Sequence, residues 1–374
     1  MTTKPIGIYV HIPFCKSKCA YCDFLSFAGA LQKYEEPYTD ALIREIYSYK
    51  REPKIKADTV FFGGGTPSLV SAESFARISR ALYDVFEILP SAEFTLEANP
   101  KTLTDEKLSV YVGCGVNRIS IGMQSVCEKE LKILGRIHNF KEFKDSYEMC
   151  IRHGITNINV DLMYAIPMQT LDSLDSSLAE VIALSPTHVS AYSLMLEEGT
   201  RLWQEKESLT LPTEDEECEM YSLITARLRD AGYSHYEISN YCLPGYSSRH
   251  NLKYWRDEEY IGLGLAAHSY YGKKRYSNHT SFEEYFSHAG KEYLQSETID
   301  KMDQAYEYAM MRLRLSEGFS LSEYKELFSE DFLTGKEKIV SDLVRAEYLT
   351  VKDDRIALTE SGFYVSNEIL SQLL

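Results

Sequence analysis

Short apolar runs and helical patterns alternate over the first half of the chain. Runs rich in β-branched and aromatic residues, which are typical of strands, lie at 6–12, 59–62, 93–97, 118–122, 157–163 and 188–194. Stretches with the spacing of amphipathic helices lie at 34–49, 72–86, 105–112, 140–153 and 171–184. About six β–α units in this order predict a parallel sheet whose strands are joined by helices.

Polar or glycine-rich residues follow several of the predicted strands. They are found at Cys15, Gly63, Glu97, Gln124 and Asp161. In β/α barrels, sites are built on the rim formed by the carboxyl ends of the strands. We therefore predict an α/β fold with a partial (β/α)6, TIM-like barrel. The alternative is an open, doubly wound sheet, in which ligands gather at one crevice.

The pattern changes after about residue 300. Helical stretches at 303–315, 320–328 and 336–345 precede two short strands at 348–351 and 355–358 and a last helix from 359. This order predicts a small α+β, winged-helix-like domain. It lacks a basic recognition face, so contact with a partner or a lid role is favoured over DNA binding. The predicted units are a barrel at 1–240, a connecting segment at 241–300 and this domain at 301–374.

Composition and charge restrict the function. The chain has 374 residues and a net charge of -16, which argues against nucleic acid as the main partner. No apolar run approaches the ~18 residues that a membrane span needs, and none follows the N-terminus. Five of the eight cysteines are scattered without a disulfide-like framework. We expect a soluble cytoplasmic protein with at most peripheral membrane contact.

Three cysteines form a C-x3-C-x2-C cluster directly after the first predicted strand. They are Cys15, Cys19 and Cys22. Three thiolates on one loop can hold three corners of a [4Fe-4S] cluster and leave one iron open to a further ligand, whereas electron-transfer clusters usually take four cysteines. The alternative is a Cys3His zinc site that uses the nearby His11.

A glycine-rich turn follows the second predicted strand, at Gly63-Gly64-Gly65-Thr66-Pro67. It lacks the Lys-Ser/Thr pair of a phosphate loop and the spacing of a dinucleotide fingerprint. Taken alone it is most simply a tight strand-to-helix turn. Beside the cysteine cluster it indicates a place where a ligand approaches bare backbone.

These elements together resemble the radical S-adenosylmethionine superfamily, and further stretches resemble its oxygen-independent coproporphyrinogen III oxidase family. The stretches that carry the resemblance span nearly the whole chain and are Tyr9-Val10-His11-Ile12-Pro13-Phe14-Cys15, Phe62-Gly63-Gly64-Gly65-Thr66-Pro67, Leu96-Glu97-Ala98-Asn99-Pro100, Ser120-Ile121-Gly122-Met123-Gln124-Ser125, Leu134-Gly135-Arg136, Asp161-Leu162-Met163-Tyr164 and Tyr236-Glu237-Ile238-Ser239-Asn240-Tyr241. The resemblance implies a partial barrel of the radical S-adenosylmethionine type.

The resemblance also implies a set of cofactor residues. Cys15, Cys19 and Cys22 would be the [4Fe-4S] ligands. S-adenosylmethionine would lie near Tyr9, Tyr21, Gly64, Gly65, Thr66, Glu97, Gln124, Arg136 and Asp161. Carboxylates suit ribose hydroxyls and a guanidinium can clamp a carboxylate. Taken singly, the three polar strand-end residues are equally interpretable as caps or barrel-rim residues, and Arg136 as a surface helix residue.

Two departures from the oxidase pattern and one further stretch favour one branch of this family, whereas a third departure, at Ala165 and Met168, is either a reshaped pocket or a neutral change of a turn. The oxidase carries a further cysteine where this chain has Phe24, and it has a longer segment before the first strand. Ala165 and Met168 replace glycines of the family. The stretch His250-Asn251-Leu252-Lys253-Tyr254-Trp255 resembles a signature of the heme chaperone branch. It implies heme near His250, Tyr254 and Trp255, with His268 as a rival iron ligand.

The resemblance therefore implies a heme chaperone that carries a [4Fe-4S] cluster, S-adenosylmethionine and heme. Its partner would be an apo-hemoprotein or a respiratory-chain acceptor, and a homodimer is left open. The rival hypothesis is an enzyme that decarboxylates coproporphyrinogen propionates by radical chemistry.

Overall fold

The computed structural model describes residues 4–374. These residues form 17 strands: β1 (Ile6–Ile12), β2 (Phe14–Cys15), β3 (Phe27–Ala28), β4 (Lys56–Gly64), β5 (Glu87–Ala98), β6 (Arg118–Gln124), β7 (Asn157–Tyr164), β8 (His188–Ser193), β9 (Ser234–Glu237), β10 (Asn240–Cys242), β11 (Tyr260–Leu263), β12 (His268–Tyr271), β13 (Lys274–Ser277), β14 (Gln295–Thr298), β15 (Phe319–Ser320), β16 (Leu349–Lys352) and β17 (Arg355–Leu358).

The same residues form 15 α-helices: α1 (Leu31–Ser48), α2 (Ala72–Val85), α3 (Asp105–Gly113), α4 (Glu128–Ile133), α5 (Phe140–Arg152), α6 (Leu171–Leu184), α7 (Arg201–Gln204), α8 (Glu214–Asp230), α9 (Arg249–Trp255), α10 (Phe282–His288), α11 (Lys301–Arg312), α12 (Leu321–Phe328), α13 (Glu337–Arg345), α14 (Glu360–Tyr364) and α15 (Ser366–Leu373). In residues 4–374, no helix combines the length and apolar character needed to cross a bilayer.

Six parallel strands form the centre of one twelve-stranded sheet. Their spatial order, β1-β4-β5-β6-β7-β8, is their order along the chain. In a doubly wound sheet the strand order reverses at a switch point, whereas strands that follow one another in space as they do along the chain are typical of a β/α barrel. The sheet stays open, with β14 at one edge and β9 at the other. The predicted partial (β/α)6 barrel is therefore confirmed.

The two faces of the central strands differ in composition because side chains alternate along a strand. In β1, Ile8, Val10 and Ile12 are fully buried and share a core with Leu42 of α1. Tyr9, which alternates with these residues, points to the opposite face, toward the interior of the barrel. The apolar face thus packs under the helices, while the polar face lines the interior of the barrel.

The crossover helices begin where the sequence supplies a cap. The side chains of Ser71, Thr104, Asn139 and Thr170 accept hydrogen bonds from the first turns of α2, α3, α5 and α6. Each cap satisfies a backbone N–H that would otherwise lack a partner. These caps fix where the carboxyl-end loops stop and the helices begin.

The predicted connecting segment, 241–300, contributes to the same sheet. β11 pairs in parallel with β1, on the side opposite β4, and β12, β13 and β14 extend the sheet in an antiparallel manner. These strands are only four residues long, so they lack the alternation that identifies a strand in a sequence. The domain boundaries remain a prediction.

The C-terminal part has the predicted helices and a small antiparallel sheet, in the order β15-β17-β16. Its hairpin turns at Asp353 and Asp354, whose φ angles are 50° and 68°. Two positive φ values match a type I′ turn, which favours Asp, Asn and Gly. Asp354 also accepts hydrogen bonds from Ser320 and Ser322 at the start of α12. The β16–β17 hairpin is thereby held against the start of α12.

Candidate functional site

The loop after β1 brings three free thiols to the carboxyl edge of the sheet. Cys15 is buried, while Cys19 and Cys22 are partly exposed. The loop is closed by backbone hydrogen bonds from Phe27 to Pro13 (2.8 Å) and from Gly29 to the carbonyl of Cys15 (3.2 Å). Because its two ends are paired as β2 and β3, the three cysteines stay on one short excursion.

Hydrogen-bond donors from two other elements face these sulfurs. Arg136 Nη1 lies 3.4 Å from Cys19 Sγ, and Thr66 Oγ1 lies 3.7 Å from Cys15 Sγ. Burial raises the pKa of the Cys22 thiol, and a bound metal would remove its proton, since thiolates are the ligands. A guanidinium beside a sulfur favours its anionic form. The residues present therefore fit an iron–sulfur cluster.

His11 is not available as a fourth ligand. Its Nδ1 is 3.0 Å from the hydroxyl of Tyr9, and its Nε2 is 3.1 Å from the carbonyl of Leu25. Burial lowers the pKa of His11 to about 4, so the ring is neutral. In residues 4–374, no three His, Cys, Asp or Glu side chains, the three cysteines included, are grouped to hold one metal ion, whereas a [4Fe-4S] cluster takes one thiolate on each iron. The arrangement therefore argues against the alternative Cys3His zinc site.

The glycine turn after β4 packs tightly on the cysteine loop. Gly64 has a φ of +108°, and a Cβ there would lie 2.5 Å from the His11 ring. A Cβ on Gly65 would lie 2.6 Å from the carbonyl oxygen of Phe14. The Gly65 N–H donates to the carbonyl of Ile12 (2.8 Å). Gly65 is thus required by contact between two backbones, and Gly64 by its left-handed backbone and the nearby His11 ring, which are reasons distinct from the ligand approach that the sequence suggested.

Two carboxyl groups face the interior of the barrel. Burial and the nearby Asp161 raise the pKa of Glu97 to about 8, although the Gly64 N–H donates to it at 3.2 Å. Burial also raises the pKa of Asp161. Asp161 accepts hydrogen bonds from Asn159 Nδ2 (2.7 Å) and Ser120 Oγ (3.3 Å). The two groups repel each other when both are charged, so a ligand hydroxyl or cation between them is favoured.

Arg136 lies in the loop after α4, not on a surface helix. Its Nη2 donates to Asn99 Oδ1 (2.5 Å) and to the carbonyl of Gly122 (2.9 Å). Asn99 in turn donates to Thr66 Oγ1 (2.8 Å). The guanidinium therefore links the ends of β4, β5 and β6 to Cys19. Asn99 completes this link and was not among the predicted site residues, although it follows Glu97 by two positions.

The remaining predicted cofactor residues border the same space. Gln124 is buried, has a φ of +69° and lies at a bulge of β6. Burial raises the pKa values of Tyr9 and Tyr21. Tyr9 is close to Glu97, and Tyr21 is close to Arg136 and to Cys19. The structure thus brings the predicted S-adenosylmethionine residues together around the cysteine loop.

The predicted heme residues do not form an open site, although the His250 ring lies close to Tyr9, with ring centroids 6.4 Å apart. His250 is on α9 and is 1% exposed. Its Nδ1 is 2.8 Å from Thr59 Oγ1, and its Nε2 is 2.9 Å from the Tyr254 hydroxyl. The ring stacks on Phe61, with centroids 5.1 Å apart. Burial and the charge of Lys253 lower the pKa of His250 to about 3. Neither ring nitrogen is free to bind iron in this conformation.

The other residues of this stretch have different surroundings. Tyr254 packs edge-on against Tyr260, with ring centroids 4.6 Å apart. Trp255 lies beside Glu237 and beneath the guanidinium of Arg314, which is 6.0 Å from its ring. The rival ligand, His268, is exposed at the start of β12. Heme ligation by His250 would require one of its two hydrogen bonds to break, whereas His268 is accessible as it stands.

Comparison with known proteins places this geometry in a family. The radical SAM superfamily profile matches residues 9–181, and the HemN C-terminal domain matches residues 299–365. The heme chaperone HemW of Lactococcus lactis is 36% identical over 377 residues, covering 100% of this chain and 98% of that protein. HemW of Escherichia coli is 34% identical, with 99% and 98% covered. The chain belongs to the HemW family of the radical SAM superfamily.

A solved structure extends the comparison of the fold. Coproporphyrinogen III oxidase (HemN) from Escherichia coli, described as a radical SAM enzyme, superposes with a TM-score of 0.86. The alignment covers 99% of this chain and 90% of that one, at 20% identity. At this identity the match shows the fold alone. This chain thus shares the fold of HemN.

Two buried residues beside the site of this HemW family member were missed from the sequence. Asn159 and His188 are both almost fully buried and connect to Asp161. Asn159 precedes Asp161 by two positions, and side chains two apart share a strand face. That spacing was the available signal for Asn159. No comparable signal exists for His188, because its contact crosses from β8 to β7.

Proposed function

We propose that this protein is a heme chaperone that holds a [4Fe-4S] cluster on Cys15, Cys19 and Cys22, binds S-adenosylmethionine, and delivers heme to an apo-hemoprotein such as a respiratory enzyme. Family membership over the full length supports the heme function. The observation that carries the cofactor part is the convergence of three free thiols with Arg136 and Thr66.

The polar residues around the thiols would divide the cofactor between them. The Gly64–Thr66 turn and Tyr9 would border its methionine end, and Glu97, Gln124 and Asp161 would accept from its ribose hydroxyls. Arg136 would turn from Asn99 to the carboxylate group of the ligand. When bound, the cluster supplies one electron to the sulfonium group. The chain itself excludes water and orients the ligand.

Heme binding by His250 requires a change at α9. The helix is held by Glu93, whose two carboxylate oxygens accept from the backbone N–H groups of Arg249 (3.1 Å) and His250 (3.0 Å). If His250 is the iron ligand, its bond to Thr59 or its bond to Tyr254 must break first, depending on which ring nitrogen binds. If His268 is the ligand, α9 can stay closed. The two possibilities lead to different results in one experiment.

An anaerobic hemin titration of the cluster-reconstituted protein, followed by Soret absorbance, tests the proposal. We expect saturable one-site binding in the wild type and its loss in His250→Ala. His268→Ala tests the rival ligand, and His153→Ala, which removes a partly exposed histidine paired with Asp105, is the control. Loss only in His268→Ala would move the site to β12. Absence of saturable binding in the wild type would overturn the chaperone function and favour a coproporphyrinogen assay.

The cofactor part has its own measurement. We expect iron and acid-labile sulfide in a ratio near one, and loss of both in a variant with Cys15, Cys19 and Cys22 replaced by serine. Replacement of Cys114, Cys127 and Cys150, which lie outside the loop, is the matched control. Zinc without sulfide in the wild type would overturn the cluster assignment.

A further inference from the structure

A chain of hydrogen bonds runs from Asp161 through the protein interior to α9. Asn159 Nδ2 donates to Asp161 Oδ1 at 2.7 Å. His188 Nδ1 lies 2.6 Å from Asn159 Oδ1, and His188 Nε2 lies 2.8 Å from the Tyr236 hydroxyl. The backbone N–H of Ser248, the N-cap residue of α9, donates to that hydroxyl at 3.1 Å. The carboxyl edge of β7 is thus connected to the cap of α9.

The direction of every bond in this chain is determined by chemistry. The Ser248 N–H can only donate, so the Tyr236 oxygen accepts and its own hydrogen is free for His188 Nε2. His188 then carries its proton on Nδ1 and donates it to Asn159 Oδ1. The Asn159 amide nitrogen must therefore face Asp161. With Asp161 ionised, this arrangement gives every member of the network a complementary partner.

Burial makes this arrangement rigid. Asn159 is 3% exposed, and His188 and Ser248 are 0% exposed. Ser190 Oγ adds a second donor to Asn159 Oδ1 at 3.1 Å. A fully satisfied buried network resists rearrangement, because each lost partner leaves a desolvated polar group. Asp161 is thereby held through Oδ1, while Ser120, at 3.4 Å, is the only donor to its Oδ2 among residues 4–374.

We infer that Asn159 and His188 are positioning residues that hold Asp161 Oδ2 toward a ribose hydroxyl, and that Tyr236 carries this position to Ser248 at the start of α9. The inference rests on the proposed binding of S-adenosylmethionine at Asp161. These hydrogen bonds orient the Asp161 carboxylate as an acceptor before the ligand binds. Binding of S-adenosylmethionine would then affect α9, the helix that bears His250.

A comparison of two ligands tests the positioning role. The probes are S-adenosylhomocysteine and its analogue without ribose hydroxyls, titrated into the cluster-reconstituted full chain by calorimetry. We expect Asn159→Ala to weaken the affinity for S-adenosylhomocysteine about tenfold, as for loss of one hydrogen bond to a charged group. The affinity for the analogue without ribose hydroxyls should fall less than twofold. Tyr236→Phe, which removes one hydroxyl, should weaken the first about threefold, in the lower range of such losses.

A second readout follows the far end of the chain. In the wild type, S-adenosylhomocysteine should slow hydrogen exchange of the Ser248 amide, and Tyr236→Phe should abolish this protection while the protein stays folded. Tyr233→Phe is the matched control. This buried tyrosine donates to the carbonyl of Pro186, which is not part of the hydrogen-bond network from Asp161 to Ser248. It should leave both affinities and the protection unchanged.

The outcomes separate this inference from the proposed function. Equal weakening of both ligands in Asn159→Ala and Tyr236→Phe would indicate general damage and overturn the positioning role, while cofactor binding stands. Unchanged protection of Ser248 in Tyr236→Phe would overturn the link to α9. A wild type that binds neither ligand would overturn cofactor binding itself, and the inference with it.

Discussion

Glu97 is a carboxyl group in a place that disfavours its charge. Burial and the nearby Asp161 raise its pKa to about 8, whereas a glutamate in an unfolded chain titrates near ~4.3. Between these pH values the folded protein holds a proton that the unfolded chain has lost. Stability of the cofactor-free protein must therefore decrease as the pH rises through this range.

The variant Glu97→Gln removes the titrating group and so removes this loss. We expect its melting temperature to match the wild type near pH 4, below the pKa of glutamate in the unfolded chain, and to exceed it at pH 8. Thermal unfolding of the cofactor-free protein at both pH values measures the difference. Glu87→Gln, an exposed change on the same strand, is the control and should shift the two melting temperatures equally. A Glu97→Gln difference that does not grow with pH would contradict the expectation.

The contact between the glycine turn and the cysteine loop is a property of two elements. Gly64→Ala combines a left-handed backbone with a Cβ 2.5 Å from the His11 ring. Gly29→Ala has a φ of +72° but open space around the Cβ. Denaturant unfolding should show losses of about 3 kcal/mol for Gly64→Ala and about 1 kcal/mol for Gly29→Ala, since strain and overpacking each cost about 1–2 kcal/mol. Equal losses would mean that the loops can separate.

The elements also show what the sequence could and could not predict. Long periodic helices such as α2 and α6 were predicted nearly to the residue, because an amphipathic pattern and a cap agree there. β11 was missed, because four residues carry no clear period and its place beside β1 depends on distant pairing. The cysteine loop was readable as a local motif. The His188 contact was not, because it joins residues 29 positions apart.

At the scale of the whole molecule, the C-terminal domain rests on the extended sheet through an ion pair. Arg275 on β13 donates from Nη2 to Glu307 Oε2 (2.6 Å) and from Nε to Oε1 (3.2 Å) on α11. Both side chains are about one quarter exposed. A bidentate, partly buried pair is stronger than a surface pair. This contact therefore stabilises the position of α11 against the strands that extend the barrel.

A double-mutant cycle measures that contribution. Arg275→Gln and Glu307→Gln, singly and together, should give an interaction free energy of about 1–2 kcal/mol from denaturant unfolding, in the range of contacting pairs. The control cycle uses Arg256 and Glu317, a more exposed pair at 3.1 Å between the end of α9 and the segment after α11, and should give less than about 0.5 kcal/mol. Hemin affinity should change on mutation of Arg256, which directly follows the predicted heme stretch. It should not change on mutation of Arg275. If the control cycle gave the larger energy, the domain would be held at α9, and heme binding there would have to displace it.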